Sequence, residues 1–202
     1  MGRHTGPTNK LSRREGVDLF GNGGQSLRRR VEQIPGDHGK KLRRGRPSDY
    51  LRQLREKQKV KRAYGMRERQ FRRFVDLARR SDEMTGAALL KLLERRLDSV
   101  MYRGGLARTR AMGRQLIVHG HVRVDGRKVD VPSFIVEPGQ SISVDATAQK
   151  MPDVQWASDS PVTATPQWLR HDGFEIQVVD FPDRKDVDLP IEENLIVEFY
   201  SR

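Results

Sequence analysis

Asp125-Gly126, set between two short runs of alternating valines, is the feature that most constrains this chain. A two-residue type I′ turn needs positive φ at both central positions, and Asp-Gly accepts that conformation readily. Such a turn pairs Val122 with Val129 and Arg123 with Lys128. Side chains alternate across a strand. One face therefore carries Val122, Val124, Val129 and Val131, and the other His121, Arg123, Lys128 and Asp130. Upstream, Thr109 fits the N-cap of a helix over residues 110–119, its hydroxyl accepting a bond from an otherwise unpaired backbone N–H. Gly120 fits the stop, since it enters the left-handed region without a Cβ penalty. Met112 and Leu116 stack at i, i+4 toward a core, and Arg110 and Arg114 stack on another face. The expected unit buries aliphatics on one side and offers Arg110, Arg114, Gln115, His119, His121, Arg123 and Lys128 on the other.

Charge says what those cations face. The net charge is +12, but residues 1–80 hold 24 Lys/Arg against 8 Asp/Glu, whereas residues 151–202 hold 4 against 11. A polycation this concentrated suits a phosphate backbone, where each neutralised phosphate releases counterions. No amphipathic helix pairs a cationic face with a Trp-rich one, so a membrane surface is not the expected partner. There is no cysteine, hence no disulfide framework and no thiolate metal site. No run has the length of a transmembrane helix, and the N-terminus lacks a signal-peptide core. The expected location is cytoplasmic, with an organelle stroma or matrix left open.

Residues 1–47 are Gly- and Arg-rich and cannot bury enough surface alone to offset chain entropy. Their charge runs, Arg28-Arg-Arg30 and residues 40–46, are read as phosphate contacts rather than a solvated tail. Ser48 and Asp49 start a helix reaching about Tyr64. Its polar middle, Arg55-Glu-Lys-Gln-Lys59, is expected to stay unburied, which frees Arg55 and Lys57 for phosphate. Phe71, Phe74, Val75 and Ala78 make the core stripe of a helix over about 67–80, leaving Arg69, Arg72, Arg73, Arg79 and Arg80 outside it. Thr85 is expected to cap one unbroken helix over about 86–102. Ile142 and Val144 alternate as a strand after a turn at Pro138-Gly139, and Phe174, Ile176 and Val178 as another. Residues 145–167 read as a variable linker or lobe, and the apolar tail 195–200 as a packed strand.

Catalytic patterns are missing: no phosphate-binding loop, no dinucleotide fingerprint, no H-E-x-x-H. Gly21-Asn-Gly-Gly24 is a weak signal alone. His119 and His121 lack nearby carboxylates at ligand spacing and are read as a helix cap or phosphate contacts. Glu192-Glu193 reads as solvated rather than as an acid/base pair. Asp180, Asp183, Asp186 and Asp188 read as surface charges, with docking onto a basic protein neighbour as the alternative. The Arg helix beside its hairpin suits a folded RNA, which is read through shape, phosphates and 2′-OH groups.

Glu94-Arg-Arg-Leu-Asp-Ser-Val-Met-Tyr-Arg-Gly-Gly-Leu-Ala107 and Arg114-Gln-Leu-Ile-Val-His-Gly-His121 resemble the RNA-binding domain named after small-subunit ribosomal protein S-four. Arg3-His-Thr-Gly-Pro7, Ser12-Arg-Arg-Glu-Gly16, Arg46-Pro-Ser-Asp-Tyr50, Leu54-Arg-Glu-Lys-Gln58, Tyr64-Gly65, Glu68-Arg-Gln-Phe71 and Leu195-Ile-Val-Glu-Phe-Tyr-Ser-Arg202 are similar to the S-four family itself. The resemblance is weakest at 17–36 and 145–167. It implies an α+β chain: a basic helical domain over 1–93, completed by about 184–202, and an inserted α/β RNA-binding domain over 94–183, with two helices on a small antiparallel sheet. It implies a primary binder of small-subunit (16S) ribosomal RNA at a multi-helix junction, active in subunit assembly and in decoding accuracy. The neighbours it implies are the S-five protein, with S-twelve as a further one, and messenger RNA where it enters the subunit. It maps RNA contacts onto Arg3, Arg13, Arg14, Arg44, Arg46, Arg69, Arg72 and Arg73, and onto Arg108, Thr109, Arg110 and Arg114. Many members hold zinc with four cysteines. Here Asn9 and Ser12 stand at the first pair of those positions, so no metal and no cofactor are expected. Gly113 stands where a better helix former is usual, a cost of about 1 kcal/mol relative to Ala.

Two alternatives share the module. An RNA-modifying enzyme of the pseudouridine synthase type needs a catalytic domain of well over a hundred residues, which the roughly 55 residues after the module do not supply. A stand-alone regulator, of RNA or of DNA, is the other. The leading expectation is a non-enzymatic ribosomal protein whose basic arm and module grip one folded polyanion.

Overall fold

The computed structural model describes residues 6–21, 25–36, 47–161 and 164–201. Arg3, Arg44, Arg46, the charge run at 40–46 and residues 22–24 of the Gly cluster lie outside them. The chain divides into two compact units, parting between Gly86 and Ala87 and between Asp188 and Leu189. Those limits differ from the expected 93/94 and 183/184. Glu94 sits 3.1 Å from both Arg103 and Arg110, which ties the end of its helix to the second unit. Arg103 likewise holds Asp188 and the Asp186 carbonyl.

The first unit holds α1 (Thr8–Glu15), α2 (Gln25–Arg28), α3 (Asp49–Ala63), α4 (Glu68–Ala78) and α10 (Glu193–Tyr200). Ser48 caps α3 by accepting from the Leu51 N–H at 3.3 Å. In α4 the Phe71, Phe74, Val75, Ala78 stripe is buried, as its spacing required. The tail expected as a strand is the helix α10. Ile196, Phe199 and Tyr200 recur at i, i+3, i+4 rather than in alternation, and no strand of this unit exists among the described residues to pair with it. Ile196 is buried, Phe199 stacks against Tyr50 at 5.8 Å, and Tyr200 against Phe71 at 6.1 Å.

The polar middle of α3 is not free, contrary to expectation. Lys57 is buried, bonded to Glu68 at 3.0 Å and set over the Phe199 ring at 4.4 Å. Arg55 lies 3.2 Å from Glu15 of α1, and Arg62 bonds the same carboxylate. Ion pairs with neighbouring elements engage the charges that the α3 pattern left polar. Glu68 also accepts from Lys61 at 2.8 Å and from the Tyr200 hydroxyl at 2.6 Å. Partial burial opposes its charge, but the bonds from Lys61, Tyr200 and Lys57 win and push its pKa down to about 2. Burial raises Tyr200's pKa in turn, helped by the adjacent Glu68.

In the second unit the expected long helix is two, α5 (Thr85–Glu94) and α6 (Leu97–Arg103). Arg96 between them is extended and forms a β-bridge with Ile135. Leu97 N–H donates to Phe134 at 2.8 Å and Val136 N–H to Arg95 at 2.9 Å. The break lets the Arg96 guanidinium bury itself on Asp98. Helix α7 (Arg110–Val118) crosses α6, and Gly113 marks the crossing: a Cβ there would stand 3.1 Å from the Asp98 carbonyl and 3.1 Å from Met101 Cβ. Gly113 is a packing residue, not a defect of the helix.

The sheet is antiparallel, ordered β2-β1-β3-β5-β4, from β1 (Val122–Val124), β2 (Arg127–Lys128), β3 (Ser141–Val144), β4 (Leu169–Asp172) and β5 (Glu175–Val178). Asp125 and Gly126 have φ of 49° and 76°, and Arg123 pairs with Lys128, so the hairpin has the expected register. Val122, Val124, Ile142, Val144, Leu169, Ile176 and Val178 bury one face, joined by Leu97, Met101, Leu116 and Ile117. Val131 is exposed instead of sharing that face, because the chain leaves the sheet after Lys128. The segment read as a linker or lobe carries α8 (Ala146–Gln149) and α9 (Pro152–Asp159), capped by Asp145 and by Pro at the first turn. Val154 and Ala148 enter the core.

Gly113→Ala is expected to lower stability in urea unfolding. The helix-propensity gain of about 1 kcal/mol is outweighed by overpacking that costs about 1–3 kcal/mol. Glu68→Gln is expected to unfold more easily than wild type at pH 7, with the gap closing in acid. A carboxylate held below its ordinary 4.5 contributes fully above that value, and loses the contribution as pH falls toward about 2. Urea titrations between pH 7 and pH 2 check both the sign and the window.

Candidate nucleic-acid interface

Two buried carboxylates organise the Arg helix. Glu94 and Asp98 are each 1 % exposed. Asp98 takes Arg96 at 3.0 and 2.8 Å and Arg114 at 3.2 and 2.6 Å. Glu94 takes Arg103 and Arg110, each at 3.1 Å. Arg110 also stacks over Tyr102 at 4.8 Å from the ring centroid and reaches Ser99 at 3.4 Å. Planar guanidinium forks suit this bidentate, stacked geometry where a lysine would not. Arg110 and Arg114 share a face, as expected, but that face is turned onto the carboxylates. Their side chains keep only 16 % and 23 % exposure. The sequence signal for Glu94 and Asp98 was weak, because the helix break between them defeats i, i+4 counting.

The remaining expected residues divide clearly. Thr109 caps α7, accepting from the Met112 N–H at 3.1 Å. Gln115 and His119 are exposed. His121 lies 3.2 Å from Asp145, whose pKa is lowered by the Ala148 N–H it accepts from and then by His121. Gly120 has φ 79°, and the Lys128 side chain lies directly over its α-carbon. Arg123 and Lys128 are exposed on the hairpin, Arg123 reaching back to the Gly126 carbonyl at 3.2 Å. Arg108 stacks on Trp156.

In the first unit Arg69, Arg72 and Arg73 are exposed along α4, flanked by exposed Arg67 and Arg80. Arg13 donates to the Gln33 carbonyl at 3.0 Å, and Arg14 is exposed. Arg55 and Lys57, both expected at the interface, are the structural pairs described above. Glu15, wholly buried at its side chain, has its pKa raised by burial against the pull of Arg55 and Arg62. Ser12, where the family resemblance placed a zinc ligand, is buried and accepts from the Leu19 N–H at 3.3 Å. Among the described residues, no His/Asp/Glu group stands where it could hold a metal ion, and no helix is long and apolar enough to cross a membrane.

A helix pair locked onto one face of a twisted antiparallel sheet, with arginines seated on buried acids, defines the second unit as an RNA-binding module of the S4-domain class. The S4 domain matches residues 95–142, and the ribosomal protein S4/S9 N-terminal domain matches residues 3–94. Along its whole length the chain is 51% identical to small ribosomal subunit protein uS4 of Herpetosiphon aurantiacus. It is 48% identical to that of Chloroflexus aurantiacus and 46% to that of Thermoanaerobacter sp. strain X514, each relative likewise covered over 100% of its length. The chain belongs to the ribosomal protein S4 family.

Replacing Arg110 and Arg114 together by Glu is expected to destabilise the second unit, not merely to abolish binding. Both new carboxylates would face Glu94 and Asp98, and breaking a buried pair costs about 3–5 kcal/mol. Denaturant unfolding monitored by circular dichroism measures the loss; an unchanged midpoint would refute the inward-facing reading.

Proposed function

We propose that this chain is a non-enzymatic constituent of the small ribosomal subunit that binds small-subunit ribosomal RNA directly. The observation that carries the reading is the exposed arginine row along α4 and at its two ends, Arg67, Arg69, Arg72, Arg73 and Arg80, on a helix whose Phe71 and Phe74 are packed inward. Exposed cations at this density gain most from a polyanion. The second unit adds Arg108, Arg123 and Lys128 at its surface, with Gln115 and His119 beside them. Arg110 and Arg114, held by Glu94 and Asp98 respectively, support the interface by fixing α7. The cations of both units serve one RNA.

The finer reading follows from the family. The RNA is a multi-helix junction in the 16S rRNA, bound early in subunit assembly, and the protein contributes to decoding accuracy. Its neighbours are the S-five and S-twelve proteins and messenger RNA, and it works in the cytoplasm or in an organelle. The exposed acids Asp180 and Asp183 and the rim around them support a basic protein neighbour on that side.

Binding of the purified chain to a small-subunit rRNA fragment, followed over a salt series, tests the reading. Contact with roughly ten phosphates predicts a loss of several decades in affinity over a modest rise in salt. Arg69→Ala, Arg72→Ala and Arg73→Ala combined are expected to reduce the log–log salt slope by roughly two to three, at about 0.7–0.9 per contact, with stability unchanged. Equal competition by duplex DNA, or indifference to salt, would count against it.

A further inference from the structure

Trp156 is out of place for a structural tryptophan. The chain has two, and while Trp168 is 3 % exposed, Trp156 leaves 45 % of its surface in water. Its position is fixed. Val154 and Ala157 of α9 are buried, so the helix is anchored and the indole stands on the opposite side. The Arg108 guanidinium lies 4.1 Å from the indole centroid, and its Nη1 is 3.4 Å from Asp153, one turn back on α9. Arg108 immediately precedes Thr109, the cap of α7. An exposed planar cation on an exposed aromatic ring therefore adjoins the N-terminus of α7.

We propose that Trp156 and Arg108 form a stacking platform for one unpaired nucleobase of the bound RNA, with the guanidinium taking the phosphate beside that base. The inference rests on the RNA-binding reading above and adds a site to it. Every base offers a π-face, and single-stranded or bulged nucleotides are the ones a protein can splay onto an aromatic side chain. Cation–π contact holds the two planes together before the base arrives. A protein partner is the poorer fit. Aromatic anchors at protein interfaces sit within a contiguous apolar patch, and among the described residues of α9 no other large apolar side chain is exposed. The rim is Asp153, Gln155 and Asp159, all polar and exposed. Asp153, with 73 % of its side chain in water, meets the fork at Nη1.

Intrinsic fluorescence of the full chain, titrated with the small-subunit rRNA fragment, reads the site directly. Saturating RNA is expected to quench the exposed indole and shield it from acrylamide. Trp156→Ala should weaken binding roughly tenfold with an unchanged salt slope, because stacking and not charge is lost. Trp156→Phe should keep most of the affinity. Unaltered acrylamide access in the saturated complex, or wild-type affinity of Trp156→Ala, overturns the platform while leaving RNA binding intact. Shielding that appears only when other small-subunit proteins are added overturns it in favour of a protein contact. Absence of any RNA binding removes both readings together.

Discussion

Glu94 and Asp98 hold the second unit together. Each is almost wholly buried, and between them they seat Arg96, Arg103, Arg110 and Arg114. A buried carboxylate is costly unless paired and fully bonded. Two guanidinium groups per acid supply the pairing, and the pairing in turn fixes where the helices go. Helix α5 must stop so that Arg96 can turn onto Asp98, α6 must start there, and α7 must cross close enough for Gly113 to be needed. The geometry of α7 is thus set by the acids it is seated on.

The same logic recurs in the first unit. Glu15 draws Arg55 and Arg62 together, and Glu68 gathers Lys57, Lys61 and the Tyr200 hydroxyl. In a chain carrying +12, these buried or half-buried acids act as organisers. Cations seated on these acids shape the protein. Those left over, chiefly the α4 row and the hairpin tips, are the ones available to a polyanion. Counting basic residues cannot separate the two groups. Lys57 and Arg69 look alike in the sequence, yet one is buried under Phe199 and the other is in water.

What local chemistry dictates was legible. The Thr109 cap, the Gly120 stop, the Asp125-Gly126 turn and the stripe on α4 each depend on a few adjacent residues, and each stands where its pattern requires. Non-local partners were illegible. The tail at 195–200 looked like a strand because β-branched and aromatic residues dominate it, but it packs on α3 and α4 with helical spacing. The segment at 145–167, rich in Ala, Ser and Thr, left linker and lobe both open, and only the fold shows that Asp145 caps a helix there and Val154 reaches the core. Gly113 looked like a flaw until the neighbouring helix was in view.

By itself, the sequence determined the turns, caps and apolar stripes, the excess of positive charge, and through its motifs the family. These are properties of short windows or of sums, so they need no fold to be read. Only the tertiary structure decided which arginines face water and which face acid. Coulomb attraction falls with distance in space, and residues such as Glu15 and Arg62, or Glu94 and Arg110, come within reach only once the chain has folded.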